Sequence, residues 1–289
     1  MKLLRLGEGA IAPLLSAARQ DGYSIVTQRK TPVDAVVISG KAAKDVTQAK
    51  KALSMNIPVL CATPRASQKV SDALVSHGEK QKTLVYIPYH REVFSPYTAL
   101  VNQVNDDKIG DVGFIKIHSN QPIPSGYSPG KASPCSEVIS ESMVHDIDWL
   151  NRHFGPIRKV FCQGMQHTKP KTEYAMATFT LNKGVTAQVI HSWQSKVEAS
   201  LRTEICGTNG MLQYNSADCA IRQTPAPSAK ELDTLATATT WSNHWASFMH
   251  KTDSSIMKNK EARVCLAPAR IAELTAQSAK TAKPFVVSK

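Results

Sequence analysis

Apolar and polar positions along this chain follow two different rhythms. Over the first hundred residues, short apolar runs alternate with helical patterns. Lys2 to Leu6 reads as a buried strand, and a turn leads into a helical pattern through Leu14, Leu15, Ala17 and Ala18 that closes at Gly22. Tyr23 to Thr27 predicts a second strand. Val33 to Ser39 is an almost continuous apolar run, the pattern of a parallel strand covered on both faces. A helix from Ala43 to Met55, a strand from Pro58 to Cys61, a helix near Val70 to Ser76 and a strand from Thr83 to Ile87 continue the series. This alternation of strands and helices predicts an α/β doubly wound sheet.

The rhythm changes after about Asn105. Gly113 to Ser119 predicts a strand, Gln121 to Ser136 is a Pro-, Gly- and Ser-rich loop, and a helix follows to Phe154, stopped by Gly155-Pro156. Strand-like runs then succeed one another: Lys159 to Gln163, Tyr174 to Leu181, Thr186 to Trp193, Leu201 to Cys206 and Met211 to Tyr214. Asn182-Lys183-Gly184 and Thr208-Asn209-Gly210 are hairpin turns, because Gly and Asn accept positive φ, and strands joined by hairpins make an antiparallel sheet. Thr234 to Thr240 is low in complexity and reads as a surface connection, while Pro268 to Ala282 predicts a closing helix.

Two stretches carry candidate chemistry. In Glu141-Ser142-Met143-Val144-His145-Asp146-Ile147-Asp148-Trp149-Leu150, Glu141 and His145 stand one helical turn apart. A carboxylate that meets an imidazole orients the ring and raises its basicity, as a proton-transfer group requires. The alternative is a polar helix face that is merely solvated. The second stretch is Gly7-Glu8-Gly9-Ala10-Ile11-Ala12, of the form GxGxxA between a strand and a helix. There the first Gly makes the turn and the second admits a phosphate to the backbone. The small third residue lets helix pack on strand, and the helix N-terminus faces the diphosphate. A tight turn without a ligand is the alternative.

Composition narrows the picture. The chain of 289 residues, 42% hydrophobic and 20% charged, is that of a globular protein with room for two domains. No apolar run is long enough to cross a bilayer, so no membrane partner is expected. The net charge of +12 is dispersed rather than gathered into a stripe with interleaved aromatics, and aromatics are 6% of the chain. A diffuse field that attracts a small anionic molecule, or simply keeps the protein soluble, therefore fits the charge better than nucleic acid. The six cysteines are scattered without a CxxC, which predicts buried free thiols and a reducing, cytoplasmic setting. His90, His118, His167, His191 and His244 lack ligand spacing and are expected to be satisfied or exposed. Glu141 and His145 lack an evident third metal ligand, so no metal is expected. Trp241 and Trp245, one turn apart, are expected to pack against a core or a partner surface.

The chain resembles the Gfo/Idh/MocA oxidoreductases, the group of glucose-fructose oxidoreductase and inositol dehydrogenase. The resemblance rests on Gly7 to Ala12, Val33 to Ile38, Ile109-Gly110-Asp111-Val112-Gly113, His145-Asp146-Ile147-Asp148 before Phe154-Gly155, and Gly207-Thr208-Asn209-Gly210-Met211-Leu212. It implies a Rossmann-like dinucleotide-binding domain, residues 1–107, and a C-terminal α/β substrate and oligomerisation domain, residues 108–289, with an open, mainly antiparallel sheet. A ligand cleft between the domains and a homo-oligomer, dimer or tetramer, are implied too. The implied activity is NAD(P)-dependent hydride transfer on a small polyol, sugar or carbonyl compound. His145 would be the acid/base, oriented by Glu141. Gly7, Glu8, Gly9, Ala10, Ile11, Ala12, Ser39 and Pro64 would lie on the cofactor side, with Arg91 and Tyr127 on the substrate side.

Three departures stand out. The family's Glu-Lys-Pro, whose Lys is catalytic, is here Ala62-Thr63-Pro64, and Thr63 supplies no cation. Only Pro13 to Pro32 separate the glycine motif from the Val33 strand, so a helix and a strand that normally intervene are missing and the Rossmann half is shortened. Gln28-Arg29-Lys30 replaces the acidic residue expected about 20 residues on for the ribose, which either favours NADP or marks an ordinary turn. The departures leave a second reading: a family-derived protein without dehydrogenase activity, working as an isomerase, cyclase or lyase, or as a ligand-binding regulatory protein with no cofactor.

Overall fold

The computed structural model describes residues 1–7, 11–28, 32–39, 42–62, 68–122, 138–165, 173–194, 198–218, 220–224, 236–253 and 267–287. Two compact units form: Met1–Val93 with Leu235–Ala269, and Phe94–Thr234 with Arg270–Lys289. The sequence alone puts a boundary at 107/108. The chain instead divides at 93/94, and a late segment returns to the N-terminal unit.

The N-terminal unit is built on five parallel strands: β1 (Lys2–Leu6), β2 (Ser24–Val26), β3 (Ala35–Ile38), β4 (Val59–Cys61) and β5 (Val85–Tyr86), in the order β2-β1-β3-β4-β5. All four residues of β3 are buried, which explains its unbroken apolar sequence. Helices α1 (Ala12–Gln20), α2 (Ala43–Leu53) and α3 (Gln68–Gln81) connect the strands. Strand β2 lies at the sheet's edge and pairs with β1, and the next strand in sequence, β3, pairs on the other side of β1. A short 3-10 turn, His90–Val93, ends the first passage through this unit.

The C-terminal unit opens with α4 (Ser95–Asn105). Its eight-stranded sheet comprises β6 (Val112–Pro122), β7 (Ile157–Met165), β8 (Tyr174–Leu181), β9 (Thr186–Gln194), β10 (Ser200–Gly207), β11 (Gly210–Asn215), β12 (Ala220–Thr224) and β13 (Phe285–Val286), in the order β12-β11-β10-β6-β9-β8-β7-β13. Among these pairings only β6 with β9 is parallel. Inward residues of alternate positions, such as Ile115, Ile117, Ala177, Phe179 and Val189, are fully buried. The fold class read from the sequence is borne out.

Two motifs of the resemblance meet at one corner of this sheet. Asn209 N donates to the Ile109 carbonyl (2.8 Å), Thr208 N to the Asp111 carbonyl (3.0 Å) and Asp111 N to Thr208 Oγ1 (3.1 Å). A Cβ on Gly207 would collide with the Ile109 carbonyl, and a bulge between Cys206 and Gly207 shifts the register there. These glycines serve backbone packing.

Helix α5 (Val144–His153) follows a π-helical turn, Ile139–Met143. The late helices are α6 (Ala236–Asp253) and α7 (Ala267–Thr281). Ala236 to Thr240 therefore begin a helix, which corrects the expected surface connection. Helix α6 packs beside α1: Trp245 and Phe248 are buried with Leu3, Leu14, Val37, Leu60 and Tyr86. The Trp245 ring meets Tyr23 edge-on at 5.1 Å and its Nε1 donates to Asp21 Oδ2 at 2.6 Å. Trp241 packs on the rim of the same core, as the pair of tryptophans leads one to expect.

Candidate functional site

The N-terminal unit holds the glycine turn. Neighbours β2 and β3 both lie parallel to β1, and the chain leaves β1 first to one side and then to the other. In parallel sheets that reversal opens a crevice beyond the carboxyl end of the strand, where ligands bind. Gly7 stands at that end with φ +84°, a conformation that excludes a side chain at little cost only for Gly. Ile11 is buried and Ala12 exposed as α1 begins, and the N-cap residue, Ile11, makes no side-chain cap hydrogen bond. Ser39 closes the other side. Its backbone N and its Oγ both donate to the Leu6 carbonyl (2.7 and 3.2 Å), so it stitches the ends of β1 and β3 together. Glu8, Gly9, Ala10, Arg29, Lys30, Thr63 and Pro64 lie outside the described residues, and Gln28 is exposed.

Arg91 is half-buried in the turn after β5. Its neighbour Glu92 pairs with Lys251 at 2.9 Å. A chain of polar groups runs alongside, buried at Tyr86 and His244 and half-buried at His90: the Tyr86 hydroxyl contacts His244 Nδ1 at 3.0 Å, and His244 Nε2 contacts His90 Nδ1 at 3.1 Å. His90 also meets the Trp241 ring edge-on at 5.5 Å. His90 and His244, read from the sequence as isolated, satisfy each other.

The C-terminal unit holds the carboxylate and imidazole. Glu141 and His145 are both buried, at 9% and 5% exposure. That removes the merely solvated helix face as their description. The helix is not regular: Glu141 lies in the π-helical turn and His145 in the first turn of α5. A π turn carries an extra residue per turn and is frequent at functional sites. The spacing expected for a plain α-helix is corrected accordingly.

Around this junction lies a hydrogen-bonded chain absent from the sequence reading. His191, on β9, is fully buried. Its Nδ1 contacts Ser142 Oγ at 3.1 Å and its Nε2 contacts Asp146 Oδ2 at 2.6 Å. Ser142 Oγ donates in turn to Gln121 Oε1 on β6 at 2.8 Å. Both ring nitrogens are thus engaged, one by a hydroxyl and one by a carboxylate. Asp148, one turn before Arg152, accepts two bonds from the Arg152 Nε (2.9 and 2.8 Å). Ser142, His191 and Asp146 share the residue types of a hydrolytic triad. The Ser hydroxyl is committed to Gln121, however, so no nucleophile is presented.

His118, on the opposite face of the sheet, is held below the usual histidine value. Burial is the largest cause and the Asn120 hydrogen bond opposes it; Lys116, His191 and Arg202 add repulsion. Burial pushes the Cys162 thiol up to about 12. Cys61, Cys162 and Cys206 are free thiols; Cys135, Cys219 and Cys265 lie outside the described residues, as do Tyr127 and His167. Among the described residues no group of three or more His, Cys, Asp or Glu could hold a metal, and no helix is long and apolar enough to cross a membrane.

Residues 97–213, which contain Glu141, His145 and His191, match the GFO/IDH/MocA C-terminal domain. The match to that domain covers less than half of the chain. Its fold is similar to that of a myo-inositol dehydrogenase from Corynebacterium glutamicum, with a TM-score of 0.77 and 16% identity over 100% of this chain and 99% of that one. It is similar also to an oxidoreductase from Agrobacterium radiobacter, solved in complex with NAD+, L-tartaric acid and magnesium, with a TM-score of 0.80 and 16% identity over 99% and 98% of the two chains. An NAD binding oxidoreductase from Klebsiella pneumoniae superposes with a TM-score of 0.82 and 11% identity over 100% of this chain and 99% of that one. At such identities the likeness is one of fold. A comparison with curated proteins returned no match.

Proposed function

We propose that this chain is an oxidoreductase of the Gfo/Idh/MocA kind that works with a nicotinamide dinucleotide on a hydroxyl of a small polyol or sugar, or on the corresponding carbonyl. The observation that carries this reading is the burial of Glu141 and His145 at the start of α5, within the stretch that matches the family domain. A carboxylate and an imidazole withdrawn from water suit proton transfer.

The residues of the N-terminal unit fit the dinucleotide. Gly7 turns with positive φ at the point where the strand order reverses, and the first turn of α1, whose N-cap Ile11 has no capping side chain, offers its amides to an anion. Gly7, Ile11, Ala12 and Ser39 would border it, with Glu8, Gly9, Ala10 and Pro64 completing the contact. When bound, the dinucleotide supplies the hydride acceptor or donor. His145 takes the proton of the reacting hydroxyl, or returns it in the reverse direction, and Glu141 favours the imidazolium that forms. Arg91 and Tyr127 would grip the substrate. Gln28-Arg29-Lys30, which follows β2 in the sequence, favours a 2′-phosphate, hence NADP. Assembly through the open face of the large sheet, where Phe161, Met176 and Ile190 are half-buried, would give a dimer or tetramer.

Ala62-Thr63-Pro64 favours the second reading, a family member whose acid/base pair works without hydride transfer, because no cation stands in the motif. Titration with NADPH and NADH, followed by quenching of tryptophan fluorescence, separates the two. Saturable binding together with NAD(P)+-linked oxidation of myo-inositol or a related polyol is expected; no binding at millimolar cofactor overturns the dehydrogenase reading. His145→Ala is expected to lower turnover by about 100- to 10,000-fold with the circular dichroism spectrum preserved. Unchanged turnover removes His145 from the mechanism.

A further inference from the structure

His191 touches both residues that follow the proposed acid/base pair. Ser142 comes directly after Glu141, and Asp146 directly after His145. The imidazole bridges the two, with Nδ1 at 3.1 Å from Ser142 Oγ and Nε2 at 2.6 Å from Asp146 Oδ2. One contact falls inside the π-helical turn and the other inside the first turn of α5, so the ring spans the junction where the helical winding changes. The junction is held from the sheet side as well, because Ser142 donates to Gln121 on β6.

The sheet is built to present this ring. His191 pairs in register with Ser119 on β6 and Ala175 on β9's other neighbour, β8. Both flanking side chains are small and buried, which leaves the imidazole standing above the inner face of the sheet. Asp146 and His191 are fully buried and Ser142 nearly so. Both ring nitrogens are committed, and a ring so committed has no lone pair to offer a substrate.

We propose that His191 is a positioning residue: by binding Ser142 and Asp146 at once it fixes the π-to-α junction and so sets the placement of Glu141 and His145. The proposal rests on the acid/base reading of that pair, since placement matters to turnover only if the pair does the chemistry. A misplacement of about an ångström at a reacting group costs roughly 100-fold in rate. A winding change is a discrete rearrangement, so losing the bridge moves both side chains together.

The test is a histidine titration by NMR on the full-length protein labelled at histidine, with His145→Gln used to assign the His145 signal. His191→Gln is expected to shift the apparent pKa of His145 by at least about half a unit. Ser142→Ala, which removes one of the two bridges and leaves the buried Asp146 partner in place, is expected to shift it in the same direction by less. A His145 titration that superposes on wild type in Ser142→Ala, and in His191→Gln if that variant folds, overturns the proposal. This readout needs no substrate. Should His145→Ala retain full turnover, the functional reading fails on that result alone, while the titration still decides whether His191 holds His145.

Discussion

Among the described residues, each unit buries one histidine completely and engages both of its ring nitrogens, yet the two are finished differently. In the N-terminal unit, His244 lies between a phenol and a second imidazole: Tyr86, His244 and His90 form a chain in which every member can be neutral. In the C-terminal unit, His191 lies between a hydroxyl and a carboxylate, and its 2.6 Å contact with Asp146 is of the short, charge-assisted kind. The neutral chain can hold helix α6 to the turn after β5 without any buried charge. The charged chain holds a junction of unusual winding beside the proposed acid/base pair, where a fixed donor pattern selects one arrangement. A buried histidine thus says little until its partners are known.

Removing the carboxylate from the charged chain should be the most damaging change. Asp146→Ala strands His191 in a dry interior and is expected to cost about 3–5 kcal/mol in urea unfolding. A loss below about 1 kcal/mol would show that the two chains do not differ in kind. Tyr86→Phe removes one neutral hydrogen bond and keeps the ring. It is expected to cost about 1–2 kcal/mol, and a cost equal to that of Asp146→Ala would break the contrast.

His118 sharpens the comparison from a third side, since it is only part-buried and has cationic neighbours. Its folded-state value lies below the ordinary 6.5, so the unfolded chain binds the proton more readily. The stability it contributes is present above 6.5 and is lost as pH falls through the lowered folded value. His118→Gln is expected to flatten this part of the stability-versus-pH curve; an unaltered slope contradicts it. The smallest effect belongs to Cys162. With its thiol pushed up to about 12, it should resist alkylation in the folded protein at neutral pH and react only after denaturation.

Much of this architecture is written locally. Val33 to Ser39 declares a parallel strand because burial on both faces leaves no room for alternation, and Tyr174 to Leu181 declares an antiparallel one because only one face is buried. The closing helix, Ala267–Thr281, follows from its composition alone. Helix α6 is not legible in that way: its opening Ala-Thr stretch lacks a helical period, and Trp245 finds its partners, Asp21 and Tyr23, more than two hundred positions upstream. For the candidate site, Glu141 and His145 were visible as a pair of complementary types at helical spacing. The π turn between them was not, because nothing in Ile139-Ser140-Glu141-Ser142-Met143 breaks a helix; the partners tied to it, Gln121 and His191, come from two strands of the sheet. His191 carried no signal of its own, since its role comes from register across three strands.

The return of helix α6 to the first unit has a consequence for biogenesis. As the chain leaves the ribosome, β1 to β5 and α1 are complete long before Trp245 and Phe248 exist to cover one side of them. The nascent protein therefore carries a partly uncovered apolar surface throughout synthesis of β6 to β12, a window in which chaperones would be called upon and a stalled or prematurely terminated product would clump.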